Sequence, residues 1–380
     1  MIINKTLLKN NILNLLISSI IMLFLFSRYF ISLQNAYFSV VEDWKIFMSL
    51  SIYILLLISF IKFKYNLKNI IYLLLFILFT LLYQTHEYFS ITHILFFFIS
   101  IYLVELYIIN KKKVLNLFFY SGLLYLFLLF YLILDGKGFT LFFDESINGR
   151  NYIGSVLTVF VLSGLALVTL KSKFFTSLGI VTILILKFRT SIISFSLFAF
   201  LKYKSNKNFY LVLFIFILTV EVTMGVGSII FKWGDGASVT SGRTEPWIYY
   251  IDFIVNNFPQ SLLPYVFTEA NLNLPVYSYF SHATGLHHAP HNLFIDLFYR
   301  LGIVFGTVLI LLLLLPIFYS KKHILERNLY IALLVFGMFE PSLGFATNLI
   351  SLFFYMLLFY LYINMKFTWR KNEKTINSNN

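Results

Sequence analysis

Between polar breaks the chain runs again and again through apolar stretches, near 11–32, 46–61, 70–84, 90–110, 114–134, 152–170, 175–187, 190–201, 209–228, 302–319, 328–342 and 345–363. A bilayer's hydrocarbon core takes about 20 residues of helix, and stretches such as 302–319 hold no charged side chain at all. These runs lack the period-two alternation of barrel strands. In lipid, an apolar run must satisfy its own backbone N–H and C=O groups, which a helix does within one segment. The expected fold is therefore all-α: a polytopic integral membrane bundle of about 11–12 transmembrane helices, with 1–380 as a single membrane domain.

Composition agrees. The chain is 59% hydrophobic and 12% charged, whereas soluble domains carry about 25% charged residues. Zero cysteines exclude a disulfide framework, a thiolate nucleophile and Cys-ligated metals. A formal charge of +13 would suggest nucleic acid in a soluble chain, so the positions of the charges decide its meaning.

Those positions alternate along the chain. Lys5 and Lys9, Lys62/Lys64/Lys68, Lys111/Lys112/Lys113, Lys171/Lys173, Lys202/Lys204/Lys207, Lys321/Lys322/Arg327 and Lys366/Arg370/Lys371/Lys374 fall on one side and account for 20 of the 29 basic residues. Glu42/Asp43, Glu87 and Asp144/Glu145 fall on the other. This is the positive-inside pattern of a chain with both termini in the cytoplasm. No nucleic-acid partner is expected; membrane lipids are. The first run follows Lys5 and Lys9, is longer than a signal-peptide core and lacks a small-residue cleavage pattern, so it is expected to stay as the first span.

One stretch tests the scheme. A single crossing at 175–201 would place Lys171/Lys173 and Lys202/Lys204/Lys207 on opposite sides; parity demands two. Each crossing is then about 18 Å long at 1.5 Å per residue, short of a core of about 30 Å. The turn Lys187-Phe188-Arg189-Thr190 is thus expected within the outer part of the membrane. A cation there is costly without an anionic or water-filled environment, which makes Arg189 a functional candidate.

The long polar excursion is 229–291, with a smaller one at 135–151, both on the outer face. Within the larger loop, Trp247, Ile251, Ile254, Val255 and Phe258 are set against Asp252, Asn256 and Asn257. This predicts an amphipathic helix starting near Pro246, lying in the outer interface or packed on the bundle. The loop ends in His282, His287, His288 and His291. Pro290 disfavours a helical turn through His287 and His291, and no Glu follows His287 as in the metalloprotease motif, so no metal site is expected. A neutral histidine suits a general base or hydrogen-bond partner. Beyond it, Asn292, Asp296 and Arg300 share a helical stripe, where an intrahelical Asp296–Arg300 pair is expected ahead of a catalytic role for Asp296.

These residues carry a resemblance. His291-Asn292 followed by Gly302 resembles the His-Asn…Gly signature closing the large periplasmic loop of the O-antigen ligase and polymerase superfamily. Asn148-Gly149-Arg150-Asn151-Tyr152-Ile153-Gly154 resembles the Asn-Tyr opening of a central span, and Lys187-Phe188-Arg189-Thr190-Ser191 resembles that family's Ser-Arg turn. Ser241-Gly242-Arg243 with Trp247 is similar to its Gly-Arg segment. The match covers about 145–310. It departs at Phe305, where ligases carry a small residue and Gly306 comes one position later, and near Pro259, where relatives often have Gly-x-Gly.

The resemblance implies a multi-pass enzyme of the bacterial inner membrane that transfers a glycan with inversion, without metal or cofactor. The glycan would pass from undecaprenyl diphosphate to a hydroxyl at the periplasmic face. It implies His291 as the proton acceptor and Arg243 and Arg189 as cations on the diphosphate, with Arg150, Asn151, Asn292 and Lys187 as substrate-binding residues. Guanidinium groups suit that task, because they bind phosphate oxygens bidentately and stay charged when partly buried. The partner is then the undecaprenyl-diphosphate-linked oligosaccharide, and a chain-length regulator protein is compatible with the role. The imperfect glycine spacing favours a polymerase over a ligase that uses lipid A–core as acceptor. Two other classes compete. One is a metal-dependent lipid-sugar glycosyltransferase built on Glu42-Asp43; the other is a transporter or flippase, which usually shows related halves and midplane sites.

Overall fold

The computed structural model describes residues 19–22, 25, 91–134, 150–185, 188–203, 244–263, 292–320, 322–338 and 349–364. The predicted spans at 46–61, 70–84 and 209–228 lie outside them, as do most of 11–32, the loop 264–291 and both termini. Among the described residues there is helix and no strand. In chain order the helices are α1 (Ile91–Ile109), α2 (Lys111–Leu134), α3 (Arg150–Leu167), α4 (Leu170–Ile185), α5 (Arg189–Tyr203), α6 (Thr244–Asn256), α7 (Leu293–Tyr319), α8 (Ile324–Gly337) and α9 (Leu349–Asn364). Lys111–Tyr131 and Leu293–Tyr319 are long and apolar enough to cross a membrane.

The stretch required by parity to turn back on itself does so, as α4 and α5. Both helices outrun their apolar cores. α4 begins at Leu170 and takes in Lys171 and Lys173, while α5 runs on through Lys202 to Tyr203. With 16 and 15 residues, they measure about 22–24 Å, longer than expected from the apolar runs alone. The turn into α4 is closed reciprocally: Thr169 N–H donates to Ser172 Oγ (2.9 Å) and Ser172 N–H to Thr169 Oγ1 (3.1 Å), which satisfies two backbone donors otherwise orphaned near a helix start.

A second boundary also moves. The apolar run beginning at 302 is preceded by a further stretch of helix, because Asn292 caps it: its Oδ1 accepts from the N–H groups of Phe294 (2.9 Å) and Ile295 (3.2 Å). Gly302 itself is non-helical, at φ 72° and ψ 171°. α7 is therefore two helical segments joined at a break, and the position where the hydrophobic run begins is that break.

The helices share one hydrophobic core to which α1, α2, α3, α4, α5, α7, α8 and α9 contribute buried side chains. Its pairings fix direction. Phe119 stacks on Phe160 at 5.1 Å, which sets the first half of α2 against the second half of α3. Tyr107 meets Tyr360 edge-on at 5.0 Å, bringing the end of α1 to the end of α9. At this pole Glu326, 2% exposed, receives Lys111 Nζ at 2.6 Å and the Tyr107 hydroxyl at 3.4 Å. Lys111 Nζ also stands 4.9 Å from the Tyr360 ring centroid, and Tyr360 Oη lies 3.2 Å from His323 Nδ1. Lys202, from the end of α5, donates to the Leu165 carbonyl near the end of α3.

Candidate functional site

At the other ends of α3 and α5 the two helices meet through their smallest and most polar residues. Gly154 leaves room for the Phe188 ring: a Cβ on Gly154 would stand 2.8 Å from Phe188 Cγ. Ser191 Oγ lies 3.0 Å from the Gly154 carbonyl, while Thr158 Oγ1 lies 2.8 Å from that carbonyl and 2.7 Å from Ser191 Oγ. Two hydroxyl protons serve this triangle, so two of its sides are hydrogen bonds at any moment. Thr158 and Ser191 are buried at 0% and 1%, where an unmade hydrogen bond costs about 1–3 kcal/mol. The contact is therefore specific to this pairing of helices. It joins Gly154 and Thr158 to Phe188 and Ser191, some thirty residues further along the chain.

Arg150 and Asn151 open α3, and Arg189 opens α5; for these three the main chain is described and the side chain is not. Gly154 is four residues past Arg150, and Phe188 and Ser191 flank Arg189. The first turns of the two helices are consequently neighbours. Lys187, Arg243 and His291 lie outside the described residues, together with His282, His287, His288 and Glu42-Asp43. In the chain, Arg243 directly precedes α6 and His291 directly precedes the cap of α7. Arg150, Asn151 and Arg189 thus stand in the first turn of a helix and Asn292 caps another, where about half a positive charge collects.

Helix α6 and the first segment of α7 also meet. α6 packs on the first segment of α7 through Tyr250, Ile254 and Tyr299. Tyr250 and Phe253 meet the Tyr299 ring edge-on, with centroids at 4.8 Å and 5.6 Å. Past the end of α6, the turn at 260–263 presses its main chain on Gly302: a Cβ there would stand 2.5 Å from both the carbonyl carbon and oxygen of Leu263. Glycine is required at 302 twice over, by conformation and by space. Asn292, 9% exposed, has its side-chain oxygen committed to the cap, which leaves Nδ2 as the part of that side chain able to meet a substrate.

The expected Asp296–Arg300 pair is present, with Arg300 Nε at 2.9 Å from Asp296 Oδ1. Asp296 is 2% exposed, so its carboxylate is buried within the first turn of α7. Among the described residues no group of three or more His, Asp or Glu stands close enough to hold a metal ion. Several residues of consequence were not among the sequence candidates. Thr158 gave no signal beyond lying four residues after Gly154, and Phe188 stood inside a quoted motif without a role. Glu326 is the lone acid within the Lys321/Lys322/Arg327 cluster, which in hindsight marks it.

Comparison with known proteins brings no match: no family model, no curated protein and no solved structure corresponds to the chain.

Proposed function

We propose that this chain is a membrane glycosyltransferase that polymerises a surface polysaccharide of the O-antigen kind. It moves a growing glycan from undecaprenyl diphosphate to the hydroxyl of another lipid-linked repeat unit at the outer face of the bacterial inner membrane. The observation that carries the reading is the pairing of α3 and α5, two neighbouring helix starts that each begin with an arginine. A cation on a helix N-terminus is disfavoured by the helix dipole, and two such ends side by side make a strongly electropositive pole. A bound anion relieves it, and helix starts bind phosphate readily. Lys111, Lys202 and Arg327 stand at the opposite ends of these helices, the pole that the positive-inside rule would assign to the cytoplasm.

The chemistry follows from the leaving group. The acceptor oxygen attacks C1 of the donor sugar while its proton passes to His291. The bond from C1 to the diphosphate oxygen breaks, its electron pair staying on the diphosphate, and C1 inverts in one displacement. Arg189, Arg243 and Arg150 counter the charge that builds there, a form of stabilisation worth several kcal/mol per well-placed donor, roughly 3–4 by analogy with oxyanion holes. Asn151, Asn292 Nδ2 and Lys187 hold the sugars and phosphates. Histidine is suited to the proton step because its ordinary pKa, about 6.5, lies near ambient pH.

Purified protein given lipid-diphosphate-linked repeat units is expected to build a ladder without added divalent metal. His291→Ala and Arg243→Ala are each expected to abolish that ladder at unchanged expression. Full activity in both variants refutes the mechanism. A reaction stopped by chelator turns attention to Glu42-Asp43, and transfer only to lipid A–core makes the enzyme a ligase.

A further inference from the structure

Helix α6 carries more apolar surface than α7 covers. Going round it from the α7-facing Tyr250 and Ile254, the next row is Ile251, Val255 and Ile248, which are 47%, 63% and 53% exposed. The row after that is Asp252 and Asn256, both exposed. Phe258, just past the helix, extends the apolar row and is 64% exposed. Protein contact, bare hydrocarbon and polar groups therefore follow one another around a single helix. That order is expected of a helix resting on a bilayer with a protein wall at one side and water above.

The break in α7 fixes the depth. From Gly302 to Tyr319 the lower segment measures about 27 Å, close to a whole hydrocarbon core of about 30 Å. The nine residues of 293–301 are then surplus to the crossing and stand in the headgroup layer. Because α6 packs on Ile295, Phe298 and Tyr299 of that surplus, it sits at the same level. The lower segment also carries exposed hydrocarbon at Val304, Val308 and Leu311, at 46%, 46% and 58% exposure, as a flank against lipid requires. A second protein copy fits poorly, since three aliphatic side chains and one phenyl ring fall short of the roughly 800 Å² per partner that a stable interface buries.

We propose that α6 is an interfacial anchor, with Ile248, Ile251, Val255 and Phe258 seated at the boundary between headgroups and acyl chains of the outer leaflet. The proposal rests on the membrane reading of the chain and not on glycan transfer. It gives α6 a fixed height at the level of the lipid headgroups.

The absence of cysteine makes the test clean. Ile248→Cys, Ile251→Cys, Asp252→Cys, Val255→Cys and Asn256→Cys are spin-labelled singly and reconstituted into phosphatidylethanolamine–phosphatidylglycerol vesicles. Collision with oxygen is then compared with collision with a water-soluble nickel chelate. The expected result is a periodic shift, with positions 248, 251 and 255 favouring oxygen and positions 252 and 256 favouring nickel. Nickel access at all five positions overturns the proposal, as does spin–spin coupling between copies at 251 and 255. The pattern is read without turnover, so loss of the ladder with the periodicity intact counts against transfer alone.

Discussion

Replacing Gly302 by alanine isolates the break in α7. At φ 72° and ψ 171° the residue occupies a region essentially reserved for glycine, where another residue is strained by about 1–3 kcal/mol. Its new Cβ would also stand 2.5 Å from the Leu263 carbonyl carbon and oxygen and 3.0 Å from Leu262 O. These are main-chain atoms that cannot rotate away, so a comparable overpacking cost of about 1–3 kcal/mol is added. The sum, roughly 2–6 kcal/mol, exceeds what one turn of chain can absorb, and the 260–263 turn is expected to lift off α7. Gly306→Ala is the control. Its Cβ would meet Phe298 Cδ1 at 2.8 Å and main-chain atoms of Leu297 and Phe298 at 3.2 Å, milder crowding without the φ strain, and the better helix propensity of alanine returns about 1 kcal/mol. Thermal unfolding in detergent is expected to show a large fall for Gly302→Ala and a distinctly smaller one for Gly306→Ala. Protease sensitivity should rise at 257–263 in the first variant only, and Leu263→Ala should not rescue it. Equal behaviour of the two glycine variants refutes the reasoning.

Two further outcomes are expected. Lys111→Met strands the buried Glu326 carboxylate; because Lys111 is 43% exposed, the cost is about 1–3 kcal/mol rather than the larger value of a fully buried pair. Lys111→Met with Glu326→Gln should recover most of it, so strict additivity in a double-mutant cycle contradicts the pairing. Gly154→Ala drives a methyl group into the Phe188 ring, costing about 1–3 kcal/mol and reducing ladder synthesis; Phe188→Leu added to it should restore both, and no rescue means that the two helix starts do not meet there.

What the sequence disclosed follows from what is local. Charge parity alone required two helices between Lys171 and Lys202, and periodicity alone placed an amphipathic helix after Pro246. The Asp296–Arg300 pair follows from a spacing of four. Glu326 could not be paired in advance, because Lys111 is 215 residues away and any of a dozen basic residues would have served. The meeting of Phe188 with Gly154 was equally hidden, since both lay in motifs read as separate. Hydropathy sees the apolar segment from Gly302 onward and the Asn292/Asp296/Arg300 stripe adds helix before it, but neither reveals the break at Gly302 that joins them. Of the candidate site, Lys187, Arg243 and His291 lie outside the described residues, and the Gly154–Phe188 contact that joins the starts of α3 and α5 was not legible because it is made between distant parts of the chain.

The hydroxyls of α5 bear on how the protein is made. Ser191 bonds back to α3, which is synthesised earlier, while Ser194 Oγ donates at 2.9 Å to the carbonyl of Ala332, synthesised more than a hundred residues later. On the membrane reading, a short helix bearing Thr190, Ser191, Ser194, Ser196 and Lys202 is a poor passenger for the translocon by itself. It finds its first polar partner as it emerges and must wait for its second. On that reading the hydroxyls of α5 are satisfied in two stages, Ser191 by α3 first and Ser194 by α8 once it has been made.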